Sequence, residues 1–149
     1  MPVHAGEGGL TAVVYPRALV DEIARAAEAD PLREVCGFIV RRPGGLSLQP
    51  VANGADPALA RTRFAMDALE VLRILRGLER EGGEVVAIFH SHVDGDARLS
   101  RADRDHAMDG DVPLWAGVEH IVVGLRRGRA SEVRRYRLAG RDFHEYPLD

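Results

Sequence analysis

The 149 residues make one domain's worth of chain, and 46% hydrophobic against 29% charged residues is the balance of a soluble globular protein with a substantial core. A formal net charge of −3 gives no basic footprint for nucleic acid over the whole chain, no apolar run is long enough to span a bilayer, and the opening MPVHAGEGG lacks a signal-peptide plan. A single cysteine, Cys36, excludes an internal disulfide framework and fits a reducing cytoplasm.

In chain order, residues 10–15 (LTAVVY) predict a first strand, with Val13, Val14 and Tyr15 suited to a sheet. Pro16 then starts a helix where its missing N–H is harmless, and Leu19, Ile23, Ala26 and Ala27 recur at helical spacing until Asp30-Pro31. Residues 34–41 predict a strand, and Pro43-Gly44-Gly45 turns it into a hairpin partner at 46–51. Residues 53–62 are loop-like. A second helix is predicted over 66–81, with Leu69, Leu72, Ile74, Leu75 and Leu78 as its apolar face and Gly82-Gly83 as its stop. The run EVVAIF at 84–89 predicts a buried strand, and a further helix is expected from Ser100 to about Asp109. After a loop with Pro113 and Trp115, three strands are predicted at 119–125, 132–138 and 143–146. No repeat, linker or second domain interrupts the pattern, so residues 1–149 are expected to form one α/β (α+β) domain with a mixed sheet packed by helices.

The chemistry concentrates in HSHVDGDARLSRAD, residues 90–103. Side chains two apart on a strand share a face, so His90 and His92 can point together off the end of the 84–89 strand. Ser100 is a natural N-cap, and Asp103 falls in the first turn of its helix. Two imidazoles and one carboxylate converging on a point, with a fourth position open, describe a catalytic zinc and not a structural one. Ser-x-x-Asp also resembles a helix capping box, which normally ends in Glu or Gln.

The pattern Glu…His-x-His, seven residues, Ser-x-x-Asp resembles the signature of the JAMM (MPN+) metalloprotease family. It stands here as Glu34 in EVCGFIV, His90-Ser91-His92, Ser100 and Asp103, with Val93 where many relatives carry Pro. The resemblance spans most of the chain. It implies a single JAMM/MPN fold similar in layout to cytidine deaminases. It also implies one zinc ion held by His90, His92 and Asp103 with water in the fourth position, Glu34 as general base, and Ser100 as hydrogen-bond donor to the tetrahedral oxyanion. This compact form is similar to bacterial stand-alone members that cleave after the C-terminal Gly-Gly of ubiquitin-like sulfur-carrier proteins. A carrier of that kind is therefore the expected partner, with neither nucleic acid nor membrane. The alternatives are a RadC-like JAMM protein linked to DNA metabolism, whose metal loop the same stretch resembles, and a non-catalytic MPN scaffold.

Cys36 lies two positions from Glu34, as a small buried hydrophobe or on the active-site face. His106, three residues after Asp103, is either a partner to the ligands or a partly exposed helix residue. His4, His120 and His144 have no partner spacing. Asp94 and Asp96 hint at calcium without the rest of an EF-hand loop. Arg126, Arg127, Arg129, Arg134, Arg135, Arg137 and Arg141 cluster near the C-terminus as a patch for an acidic partner or as solvated strand edges. All twenty basic residues are Arg, which high-GC coding explains better than any function.

Overall fold

In the computed structural model, which describes residues 13–148, the first element is helix α1, Arg17–Glu28. Leu19, Ile23 and Ala27 recur on one side of it and are its buried residues, as their spacing predicts. Pro16 is its N-cap. The strand expected at 10–15 is not borne out where it can be seen: Val13 to Tyr15 join no ladder, and Leu10 to Ala12 lie outside the described residues. Tyr15 is buried for another reason, since its hydroxyl donates to Glu119 Oε1 at 2.6 Å.

Strands β1 (Cys36–Arg42) and β2 (Gly45–Val51) form the predicted hairpin. Helix α2 spans Ala68–Glu81. The Asp67 side chain accepts from Glu70 N at its start, and Gly82 ends it in the left-handed region at φ 69°. Its inward face matches expectation at Ile74 and Leu78 and departs from it elsewhere. Leu78, with Val71 and Ile74, packs on the sheet, whereas Leu69 and Leu72 are 64% and 44% exposed. Strand β3, Glu84–His92, runs on through both histidines instead of stopping before them. Helix α3 (Arg101–His106) is shorter than predicted, because the chain after it turns into a two-stranded ribbon, β4 (Met108–Asp109) and β5 (Val112–Pro113). Strands β6 (Glu119–Arg126), β7 (Arg129–Ala139) and β8 (Asp142–Tyr146) complete the fold.

The main sheet has six strands in the order β2-β1-β3-β6-β7-β8. All its pairings are antiparallel except β3 with β6, so the chain between them must cross over the sheet, and that crossover carries α3. Alternation along the strands sorts the core into two faces. Ile39, Ala87, Phe89, Ile121 and Val123 meet α1 on one face, while Phe38, Val40 and Ile88 meet α2 on the other. A third cluster, Ala97, Leu99, Ala107, Val122, Tyr136 and Phe143, seats the 93–107 segment on the α2 side. His90 and His92 therefore emerge on the α2 side, beside the segment that brings Asp103.

Candidate metal centre

His90 is the Cα partner of Cys36 on β1 and of Val122 on β6, and His92 is the partner of Gly124. The two rings project from the same face, and Asp103 meets them from the first turn of α3. His90 Nε2 lies 3.1 Å from His92 Nε2 and 3.1 Å from Asp103 Oδ2, and the His92 Nε2 to Asp103 Oδ2 distance is 3.0 Å. Zinc–nitrogen and zinc–oxygen bonds of about 2.05 Å in a tetrahedron require edges of about 3.3 Å, so this triangle is close to that of a three-ligand face. Among the described residues it is the one cluster of histidine, cysteine or carboxylate groups with such spacing.

The surroundings prepare the three atoms for a cation. His92 Nδ1 is 2.7 Å from the Asp96 carbonyl oxygen, which fixes its proton there and leaves the Nε2 lone pair facing inward. Ser100 N donates to Asp103 Oδ2 at 3.0 Å, and the Ser100 hydroxyl accepts from Asp103 N at 3.0 Å. A capping box is thus present with Asp in place of the usual Glu or Gln. Because the hydroxyl acts there only as an acceptor, its own proton stays free to be donated, and the two roles considered for Ser100 are compatible. Burial lowers the His90 pKa, favouring the neutral ring that a ligand needs. Burial alone would raise Asp103, but hydrogen bonds from both histidines and from Ser100 outweigh it and keep the carboxylate ionised. The chemistry and spacing of this donor set fit zinc.

Glu34 lies two residues before the start of β1, opposite His92 if the β1–β3 register is continued. It is only 5% exposed, and its Oε1 has no hydrogen-bond partner. Burial pushes its pKa up to about 8, with the Asp103 charge adding and His92 opposing. That is the balance without an ion; the charge of a cation at the triangle would draw the carboxyl back down towards neutrality, where it is suited to take and return a proton.

Cys36 is wholly buried on the His90 side, its thiol donates to the Val51 carbonyl, and burial pushes its pKa up to about 12, so it behaves as a core hydrophobe. His106 is exposed and sets its ring edge against Phe64, making no hydrogen bond to His90, His92 or Asp103. Asp94 and Asp96 do not converge on an ion. Asp94 accepts from Arg127 N and pairs with Arg61, and Asp96 accepts from Arg98 N. The arginine cluster is partly internal: Arg135 and Arg137 turn onto buried Glu119, and Arg134 pairs with Glu132 and Glu145. His4 lies outside the described residues, and His144 is exposed.

Several contributors gave no sequence signal. Phe64 stacks on the His90 ring at 4.6 Å, and Glu132 Oε1 accepts from Ala97 N at 2.7 Å, anchoring the loop between His92 and α3. Gly124 lets that loop lie directly on β6. A Cβ there would stand 2.7 Å from the Gly95 carbonyl oxygen and 2.8 Å from Ala97 N. Gly124→Ala must therefore lift the loop that holds His92 through Asp96. Zinc affinity, measured against a competing chelator, is expected to fall about 10- to 100-fold, the usual cost of losing an outer-shell partner. Wild-type affinity in this variant would refute the argument.

His120, beside Ile88 on the metal face, is buried against the Phe143 ring. Burial, with the nearby His90 and His106, pushes its pKa down to about 4, while Asp103 opposes. A depressed histidine contributes stability above its unfolded value of about 6.5 that is lost as pH falls towards 4. Between pH 7 and 5 the loss is about 2 kcal/mol. Denaturant melts of zinc-stripped wild type and zinc-stripped His120→Gln across that range should converge as pH falls; parallel curves would contradict the assignment.

With this geometry in place, comparison with known proteins is decisive. Residues 16–139 match the family described as prokaryotic homologs of the JAB domain. The chain belongs to that family. Among its relatives, the desampylase of Haloferax volcanii is 28% identical over 109 residues, covering 70% of this chain and 72% of that one. The CysO-cysteine peptidase of Mycobacterium tuberculosis is 24% identical over 143 residues, covering 96% and 94%. A probable TtuB-protein conjugate cleaving protease of Thermus thermophilus is 34% identical over 98 residues, 66% of this chain and 64% of that one. Solution structures of proteins from Desulfitobacterium hafniense and Salinibacter ruber share the fold. Their TM-scores are 0.68 and 0.60 at 21% and 22% identity, covering 87% and 92% of this chain and 86% and 90% of those chains. Membership of the JAB family and the six-stranded mixed sheet agree with the mixed α+β fold anticipated from sequence.

Proposed function

We propose that this JAB protein is a zinc peptidase that hydrolyses the amide bond following the C-terminal Gly-Gly of a ubiquitin-like sulfur-carrier protein in the cytoplasm. The observation that carries the reading is the convergence of His90, His92 and Asp103 next to a buried carboxylate, Glu34, whose oxygen is free of hydrogen bonds. The relatives' names support the substrate class, since they denote cleavage of CysO–cysteine and of TtuB–protein conjugates. No helix among the described residues is long and apolar enough to cross a membrane.

His90, His92 and Asp103 would hold one zinc ion, which when bound supplies a Lewis acid and brings the pKa of water towards neutrality. Glu34 takes the proton of the attacking water and carries it to the leaving nitrogen, a transfer typically worth about 10²–10⁴-fold. Ser100 donates its free hydroxyl proton to the oxygen of the carbonyl under attack, where negative charge builds. The Asp96 carbonyl keeps the His92 ring in one tautomer throughout. The test is to incubate zinc-loaded protein with sulfur carriers extended past Gly-Gly and follow intact mass. A cut directly after Gly-Gly that a chelator abolishes is expected. Bound zinc with no cut in any carrier would overturn the proposed reaction.

A further inference from the structure

We propose that Ser91 is a positioning residue for Glu34, an inference that rests on the reading of Glu34 as the proton carrier. A side chain between two ligands on a strand points to the opposite face, so Ser91 cannot join His90 and His92 at the metal. It is wholly buried, and its hydroxyl accepts from Val35 N at 2.8 Å. The next pair of the β1–β3 ladder after Cys36 and His90 would be Val35 with Ser91, exchanging two main-chain hydrogen bonds. Only one is made in that form: Ser91 N donates to the Val35 carbonyl at 2.9 Å, while the return bond from Val35 N goes to the Ser91 hydroxyl. The ladder ends there, and Glu34 N turns to the Ala60 carbonyl at 2.7 Å.

The N–H that Ser91 holds belongs to the Glu34–Val35 peptide. The carbonyl of that same peptide accepts from Asn53 Nδ2 at 2.9 Å. The peptide plane next to Glu34 is thus gripped at both ends, which fixes the direction in which the Glu34 side chain leaves the chain. That grip answers a need. Glu34 Oε1 has no hydrogen bond of its own, so its aim must come from the main chain. A group that has to gain and lose a proton works best when its lone pairs are not committed elsewhere, and Ser91 supplies orientation from behind without touching the carboxylate.

Ser91→Ala removes the acceptor, and Ser91→Thr keeps it. With a sulfur carrier extended past Gly-Gly as substrate, Ser91→Ala is expected to lower kcat about 10- to 100-fold, the scale of a misplacement near 1 Å. KM and zinc affinity should stay within about twofold, and Ser91→Thr should recover most of the rate. In a Glu34→Gln background, Ser91→Ala should cost nothing further. Unchanged kcat in Ser91→Ala beside an inactive Glu34→Gln would overturn the role of Ser91 alone. So would a loss of zinc in step with activity, which would mean that Ser91 supports the ligands instead. An active Glu34→Gln would overturn the reading of the base, and the role of Ser91 with it.

Discussion

Glu34→Gln is expected to reduce kcat by about 10²–10⁴-fold while leaving zinc content and substrate affinity close to wild type. The substitution keeps shape and volume but removes the ability to accept a proton. It touches none of the three atoms that face the metal position, so metal analysis of the purified variant should still give one zinc per chain. Misfolding would not explain the loss. The carboxyl pKa is raised to about 8 by burial, against about 4.3 in an unfolded chain, so the folded protein binds the extra proton between those values. Stability of the zinc-stripped wild type therefore falls as pH rises through that window, and a neutral amide escapes the cost. Zinc-stripped Glu34→Gln should melt no lower than zinc-stripped wild type at pH 7. Wild-type turnover in this variant would end the case for Glu34 as base.

Asp103→Asn is expected to lose the metal first and activity as a consequence. Its Oδ2 is one corner of the ligand triangle and the anionic one. An amide oxygen in the same place can still accept the Ser100 N–H, so α3 keeps its cap while the charge that balances the cation disappears. Losing an outer-shell partner costs about 10- to 100-fold in affinity, and losing a charged ligand must cost more. Competition with a chelator should show a drop beyond about 10²-fold, with rate partly recovered in excess zinc. Retained zinc and full activity would remove Asp103 from the centre. The two variants part cleanly: one is loaded and slow, the other poorly loaded.

The proposed ligands were legible because they lie close in sequence: His90 and His92 share a strand face, and Asp103 is one loop away at a helix start marked by Ser100. Glu34, 56 residues before His90, entered only through the JAMM signature, since a glutamate before a strand carries no signal of its own. What escaped was decided by distant partners. Val13 to Tyr15 have strand propensity, but Tyr15 is drawn to Glu119 and no ladder neighbour forms. Leu69 and Leu72 fit a helical stripe, yet the sheet meets α2 along Val71, Ile74 and Leu78. Arg135 and Arg137 looked like surface charge because their buried acceptor, Glu119, belongs to another strand. Ser91 and Asn53 act through main-chain hydrogen bonds to residues 56 and 19 positions away, which no local pattern encodes.

The capping box at α3 has a thermodynamic consequence. Asp103 completes the cap of a six-residue helix and also contributes a corner of the ligand triangle. Isolated helices of that length do not hold together in water. An ion that draws on Asp103 therefore also favours the ordered first turn, and an ordered turn presents the carboxylate to the ion. The free energies of the two events are linked, so amide hydrogen exchange at Arg104 and Ala107, whose N–H groups close the helix onto Ser100 and Asp103, should slow with zinc occupancy. The helix would then serve as a built-in gauge of loading, readable without any substrate.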